Sequence, residues 1–143
     1  MYDAPFYKGS GKLQDKVAII TGGDSGIGWA VACFRARRAD VAILHIEKER
    51  DAKAAIAAVE AEGRKCFAIS GDVRDSAFCQ KAVKDTLARY GKIDVLVNNA
   101  AFQVHAAQIE DLTEEHFDMR TNLYGCFHMA KACIEYMKPE APS

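Results

Sequence analysis

The arrangement of apolar segments along the chain is the feature that most restricts its fold. Four short apolar runs occupy residues 17–21, 41–44, 66–69 and 94–97, and segments with helical character separate them at 27–37, 49–62 and 76–90. Continuous apolar runs of four or five residues are typical of strands buried on both faces, and their alternation with helices is typical of a parallel sheet. The pattern predicts an α/β fold whose ligands gather at the carboxyl ends of the strands.

A glycine-rich turn joins the first apolar run to the first predicted helix. It contains Gly22, Gly26 and Gly28. A helix N-terminus presents backbone N–H groups and the positive end of its dipole, and glycines without Cβ atoms let a pyrophosphate approach that backbone closely. The spacing is G-x-x-x-G-x-G rather than G-x-G-x-x-G, so the turn alone is equally compatible with an ordinary strand-to-helix connection.

Three further motifs follow at the ends of later segments. Asp72-Val73 follows the third apolar run, Asn98-Asn99-Ala100 follows the fourth, and Asn122 lies in the segment 121–125. With Thr21-Gly-x-x-x-Gly-Ile-Gly28, these motifs resemble in order and separation the first half of the short-chain dehydrogenase/reductase (SDR) family. Segment 5–13 of the N-terminal leader, the Gly-Gly-Asp-Ser-Gly turn over 22–26 and the stretch 72–79 are further similar to a bacterial subgroup of glucose-dehydrogenase-like or general-stress oxidoreductases. The resemblance implies a Rossmann-type doubly wound parallel sheet, with strand order 3-2-1-4 over the four predicted strands.

The resemblance also implies a nicotinamide dinucleotide cofactor and a set of residues that bind it. Asp72 would accept a hydrogen bond from the adenine amino group and Val73 would pack on the ring, although a turn-capping role for Asp72 is an open alternative. Asn98 and Asn99 would steady the turn after the fourth strand and contact the ribose, and Ala100 would leave room for the cofactor. Ala101 stands where the family usually has glycine. The cofactor-binding residues expected at the glycine turn are Gly22, Asp24, Ser25, Gly26, Ile27 and Gly28.

The end of the second strand is expected to select between NAD and NADP. NAD-binding relatives place an acidic residue there for the ribose 2′-OH, and NADP-binding relatives place a cation for the 2′-phosphate. This chain has His45 near the expected ribose site and Glu47 about 20 residues beyond the glycine turn, but also Lys48 and Arg50. The sequence favours NAD and leaves NADP open. Arg38 replaces the glycine with which the family commonly ends the first helix.

Catalysis in the family uses a serine, a tyrosine, a lysine and an asparagine that holds a water in the proton path. The resemblance assigns the last role to Asn122. None of the five tyrosines is followed by lysine four residues later. Because general acid catalysis needs a donor within hydrogen-bond reach of the reacting oxygen, the chain by itself is predicted to be catalytically incomplete.

The C-terminal segment is predicted to be one long helix over 114–137, capped by Thr113, with Glu114 and Glu115 at its positive end. Residues 138–143 are interpreted as the loop that would precede a fifth strand. The predicted organisation is an N-terminal arm over 1–15 and a partial dinucleotide-binding domain over 16–143. The fourth strand would then be an open edge, which favours self-association into a homo-oligomer.

Composition excludes several classes of partner. The formal net charge is −1, and the scattered lysines and arginines form no block suited to nucleic acid. No apolar segment has the length of a membrane span and the leader lacks the core of a signal peptide, so a cytoplasmic location is expected. Five dispersed cysteines favour reduced thiols, and the four histidines show no metal-ligand spacing.

Two hypotheses about function follow. In the first, the chain is the N-terminal, cofactor-binding part of an NAD(P)-dependent oxidoreductase that oxidises alcohols or sugars or reduces carbonyl compounds. In the second, the 143 residues are a complete, non-catalytic module for dinucleotide binding or assembly. Tight adenosine binding without reduction of any carbonyl substrate would distinguish the second from the first.

Overall fold

The structure, a computed structural model, describes residues 13–36, 39–46, 49–103, 107–115 and 119–137. Strands and helices alternate over most of this length. The elements are β1 (Lys16–Thr21), α1 (Gly26–Ala36), β2 (Ala39–His45), α2 (Glu49–Ala61), β3 (Cys66–Ser70), α3 (Ser76–Tyr90), β4 (Val95–Val97), a 3₁₀ turn (Ile109–Asp111), a π-helical turn (Arg120–Gly125) and α4 (Cys126–Cys133).

The four strands form one parallel sheet in the order β3-β2-β1-β4. Ile19 in the centre of β1 pairs with Ala42 of β2 on one side and Leu96 of β4 on the other. Parallel strands place all their carboxyl ends at one edge of the sheet. The predicted α/β fold and the predicted order 3-2-1-4 are confirmed.

Both faces of the sheet are covered by helices. On one face Ile19, Ala42 and Leu44 belong to a buried cluster that includes residues of α3 and α4. On the other face Ile20, Val41 and Ile43 belong to a cluster that includes residues of α1 and α2. Because successive side chains of a strand point to opposite faces, a strand buried on both sides needs apolar residues at every position. This requirement explains the uninterrupted apolar runs.

Three free cysteines are core residues. Cys66, Cys79 and Cys133 are buried, and burial is the largest cause that raises the pKa of each thiol, to about 12, 11 and 12 respectively. At neutral pH these thiols are therefore protonated and pack as small apolar groups.

The helix boundaries follow local capping chemistry. The Asp75 side chain caps α3 by accepting a hydrogen bond from the Ala77 N–H at 2.8 Å. Gly91 ends the same helix in the left-handed conformation, with φ 80°, and its N–H donates to the Leu87 carbonyl at 2.7 Å. The predicted helical segment over 76–90 is confirmed.

The prediction of one long C-terminal helix is wrong. Glu114 and Glu115 lie in a turn, and the described residues of the predicted helix are helical only from Arg120 onward, first in the π-helical turn and then in α4. The Asn122 side chain offers a physical reason for the late start of the helix. It hydrogen-bonds the backbone of Phe102 and so fixes the π-helical turn to a loop that is distant in sequence. The capping role predicted for Thr113 is therefore also wrong.

Several predicted features lie outside the described residues. They are the first twelve residues of the predicted arm, Arg38, and the loop over 138–143. Within the described ranges, no helix combines the length and apolar character needed to span a membrane.

Candidate functional site

A cleft of about 390 Å³ opens at the carboxyl edge of the sheet. The ends of β1, β2, β3 and β4 all contribute to it, so the topology gathers motifs that are far apart in sequence. Its lining residues are Gly22, Asp24, Ser25, Ile27, Leu44, His45, Ile46, Gly71, Val73, Asn99, Ala100, Ala101 and Thr121. Eight of these are among the twelve residues predicted to bind a cofactor.

Two glycines of the turn, Gly26 and Gly28, serve different structural purposes. A Cβ on Gly28 would collide with the Gly22 carbonyl oxygen and with Asn99 Nδ2, so α1 can pack against the turn only with glycine at this position. Gly26 has φ +54°, and a Cβ there would meet no atom within 4 Å. Gly26 therefore leaves open space at the exposed first residue of α1, where a ligand can approach the backbone.

Thr21 joins the ends of β1 and β4. The residue is 2% exposed, and its Oγ1 accepts hydrogen bonds from the N–H groups of Asn99 and Ala100, each at 2.9 Å. The sequence interpretation gave Thr21 no role of its own. The available signal was a hydroxyl residue at the end of a buried apolar strand, directly before a glycine turn.

His45 lies at the end of β2 and lines the cleft. The residue is only 5% exposed, and its Nδ1 is buried without a hydrogen-bond partner among the described residues. Because a buried polar nitrogen without a partner is costly, this atom indicates a site for an additional hydrogen-bonding group. Glu47 and Lys48, which the sequence placed beside this position, lie outside the described residues.

Asp72 lies just beyond β3 and is held by Arg74. Its Oδ1 accepts from the Arg74 N–H at 2.8 Å, and its Oδ2 accepts from Arg74 Nε at 2.7 Å. The side-chain hydrogen bond from Arg74 is the main cause that lowers the pKa of Asp72, against a smaller opposing effect of burial. These contacts fit the turn-capping alternative, and the carboxylate stays ionised at neutral pH. Arg74 is a further residue that the sequence interpretation missed.

Val73 is buried beside the cleft, 4% exposed. Its carbonyl oxygen accepts a hydrogen bond from the Cys79 thiol at 3.3 Å, and His128 Nδ1 lies at the same distance from that oxygen. These contacts hold the backbone after β3 against α3 and α4.

The two other predicted asparagines make contacts away from the cleft lining. Asn98 Nδ2 donates to the Cys126 carbonyl at 3.3 Å. Asn122 uses both ends of its amide on Phe102: Oδ1 accepts from the backbone N–H at 2.7 Å, and Nδ2 donates to the carbonyl at 2.9 Å. Both side chains therefore bridge the end of the sheet to the start of α4.

No group of three or more histidine, cysteine or carboxylate residues in the described ranges is arranged to hold a metal ion. Two of the four histidines, His105 and His116, fall outside those ranges.

Comparison with known proteins assigns the fold to a family. The sequence model of the family described as short chain dehydrogenase matches residues 16–143. General stress protein 39 of Bacillus subtilis is 45% identical over 142 residues, which cover 97% of this chain and 50% of that protein. The chain spans about half the length of the curated relatives that it matches.

Solved structures give the same result. A short chain dehydrogenase from Burkholderia cenocepacia J2315, in complex with NADP, has a TM-score of 0.82 and 35% identity, over 88% of this chain and 52% of that one. An NAD⁺-bound xylitol dehydrogenase has a TM-score of 0.83 and 30% identity, over 88% of this chain and 49% of that one.

Proposed function

The chain belongs to the short-chain dehydrogenase family, and from this premise we propose that it is the cofactor-binding part of an NAD(P)-dependent oxidoreductase. The substrates would be alcohols or sugars to be oxidised, or carbonyl compounds to be reduced. The observation that carries the proposal is the convergence of the glycine turn, His45 and the Asn99-Ala100 segment on one cleft. In such an enzyme the bound nicotinamide ring supplies or accepts the hydride.

The turn before α1 would bind the pyrophosphate. The first N–H groups of a helix have no partner within the helix, and they attract an anion together with the helix dipole. The first turn of α1 carries no acidic residue, whereas the first turn of α2 carries Glu49 and Asp51. The open space beside Gly26 supports the approach of a phosphate to this backbone.

The adenosine would lie along the ends of β2, β3 and β4. We assign Asp72 to the adenine amino group, Val73 to the face of the ring and His45 to the ribose. The partnerless Nδ1 of His45 supports the last assignment because a ribose hydroxyl could satisfy it. Asn98 would steady the turn after β4, consistent with its bond to the Cys126 carbonyl.

The composition of the cleft supports NAD over NADP. The lining residues among those described include the carboxylate of Asp24 and no lysine or arginine. Among the described lining residues, a ribose 2′-phosphate would meet a negative charge and no cation, whereas a 2′-OH could bond to His45.

Calorimetric titration of the chain with NAD⁺ and NADP⁺ tests this assignment. We expect NAD⁺ to bind at least roughly tenfold more tightly, and His45→Arg to reverse the preference. His45→Gln, which keeps a neutral hydrogen-bonding side chain, is the matched control and should keep the preference for NAD⁺. Equal affinity of the unmodified chain for both dinucleotides would reject the NAD assignment, and no binding of either would reject the proposed function.

The alternative, a dinucleotide-binding module without turnover, makes a different prediction. Cofactor binding with no hydride transfer to any carbonyl compound, in the complete gene product, would favour it.

In an active enzyme we assign to Asn122 the family's proton-path role. Asn122→Ala should then slow turnover more than it weakens cofactor binding, and the reverse order would indicate that the bridge to Phe102 is its main role.

Two further parts of the proposal concern the oligomeric state and the cellular location. We propose that the chain forms a homo-oligomer. Phe127 and Ile134, in and just after α4, are 57% and 71% exposed, which supports self-association. The five cysteines are free thiols, which supports a reducing compartment such as the cytoplasm.

A further inference from the structure

Asp72 and Arg74 form a close and geometrically restricted pair. Besides the two hydrogen bonds from the Arg74 N–H and Nε, Arg74 Nη2 lies 2.6 Å from Asp72 Oδ2. The guanidinium thus grips one carboxylate oxygen while the backbone N–H of the same residue binds the other. Rotation of the carboxylate is restricted from both sides.

The pair leaves little acceptor capacity on the carboxylate. An ionised carboxylate has about four acceptor positions. Contacts between described residues occupy three of them, one on Oδ1 and two on Oδ2. What is left is one position on Oδ1, which suits a single N–H donor and repels an oxygen acceptor that approaches it.

The ion pair adds little to fold stability, although the bond from the Arg74 N–H to Asp72 Oδ1 also closes the turn after β3. The Arg74 and Asp72 side chains are 45% and 32% exposed, and ion pairs exposed to this degree add little to the free energy of unfolding. Asp75, and not Asp72, caps α3. The consequence of the Arg74 contacts is therefore the fixed orientation of the carboxylate rather than the stability of the helix.

We propose that Arg74 is a positioning residue through which Asp72 selects a 6-aminopurine over a 6-oxopurine. The inference rests on the proposed function, which assigns Asp72 to the adenine ring. An amino group at ring position 6 would donate into the remaining acceptor position, whereas an oxo group would bring a second acceptor against it. Arg74 acts on this choice through Asp72 and need not touch the base.

The test compares two dinucleotides that differ in this group. The full chain is titrated by calorimetry with NAD⁺ and with nicotinamide hypoxanthine dinucleotide, in which a 6-oxo group replaces the 6-amino group and ring N1 carries a hydrogen. The readout is the ratio of the two dissociation constants, because any loss of folded protein weakens both apparent affinities alike and cancels. We expect the unmodified chain to prefer NAD⁺ by roughly tenfold, the effect of one hydrogen bond to a charged acceptor.

Five variants, one of them a double substitution, separate positioning from structure. Arg74→Ala should bring the ratio close to one, and Arg74→Lys should lose most of the preference because an ammonium cannot reproduce the forked contact. Asp72→Asn should also abolish the preference, and adding Arg74→Ala to it should have no further effect on the ratio. Lys81→Ala is the matched control: it removes one cation from an exposed ion pair, with Asp85 at 2.6 Å, and should leave the ratio unchanged.

The outcomes distinguish this inference from the proposed function. If the unmodified chain binds both dinucleotides equally, or if Arg74→Ala keeps the preference for NAD⁺, the inference fails while dinucleotide binding stands. An effect of Arg74→Ala on the ratio that persists in the Asp72→Asn background would also overturn it, since Arg74 would then act independently of Asp72. If neither dinucleotide binds, both proposals fail.

Discussion

Asn99 holds Thr21 through both its backbone and its side chain. The Asn99 N–H donates to Thr21 Oγ1 at 2.9 Å, and Asn99 Nδ2 donates to the Thr21 carbonyl oxygen at 3.0 Å. The same amide nitrogen donates to the Gly22 carbonyl at 3.0 Å. One asparagine thus fixes the chain leaving β4 against the start of the glycine turn, and it sets the floor of the cleft.

Thr21→Val should destabilise the fold although it nearly preserves side-chain volume. The substitution removes the acceptor of two backbone N–H groups and leaves them without this partner near the sheet. We expect the free energy of unfolding to fall by about 2 kcal/mol in urea denaturation. Thr21→Ser, which keeps the hydroxyl, is the control and should lose less; equal losses in the two variants would mean that the hydroxyl is not what joins the strand ends.

Gly28→Ala should destabilise the fold more than Gly63→Ala does, although Gly63 has a positive φ. A Cβ on Gly28 would collide with the backbone of Gly22, which cannot move without displacing the turn. Overpacking of this kind should cost about 3 kcal/mol of unfolding free energy. Gly63 has φ +78° and no atom within 4 Å of the added Cβ, so Gly63→Ala should cost only about 1 kcal/mol. The account of the turn would be wrong if thermal or urea denaturation gave the opposite order.

Asp94 should make stability depend on pH. Burial acts to raise the pKa of Asp94, but the Val17 N–H, Lys92 and Lys16 together bring it below the usual value. A lowered folded-state pKa contributes stability that is present above the unfolded-state value of about 3.9 and is lost as the pH falls through the folded-state pKa.

Asp94→Asn should therefore reduce stability at pH 7 by about 1 kcal/mol and flatten the fall in stability below about pH 5. Asp85→Asn is the control, because Asp85 is 41% exposed in its pair with Lys81 and such pairs contribute little. Urea denaturation across this pH range measures both effects. Parallel profiles for Asp94→Asn and the unmodified chain would refute the role given to Asp94.

The sheet could be predicted from the sequence because each strand is buried on both faces, so its residues form a continuous apolar run. The limits of α3 could be predicted because Gly91 ends it locally. The start of the C-terminal helix could not be predicted, because the π-helical turn depends on the bonds of the Asn122 side chain to Phe102, twenty residues away in sequence. Periodicity within one segment carries no information about such a contact.

Sequence motifs could place eight of the cleft-lining residues because the glycine turn and the segments after the strands have fixed places in this fold. The sequence could not indicate that Arg74 would hold Asp72 from two sides, or that Asn98 and Asn122 would bond to backbone groups outside the cleft. Side-chain partners that arise only from the folded geometry are absent from any single motif. The orphan nitrogen of His45 is a further example, since it requires the burial of β2.

Binding of a dinucleotide at the glycine turn is best tested by calorimetric titration of NAD⁺ into the unmodified chain, Gly26→Ala and Gly63→Ala. Gly26 and Gly63 both have positive φ and open space around the added Cβ, so the two variants share the backbone penalty. They differ in position, because Ser25 and Ile27 on either side of Gly26 line the cleft and the residues beside Gly63 do not. We expect one binding site per chain, an unchanged affinity for Gly63→Ala and a loss of roughly tenfold or more for Gly26→Ala. The same affinity in both variants, or no binding to the unmodified chain, would contradict binding at this turn.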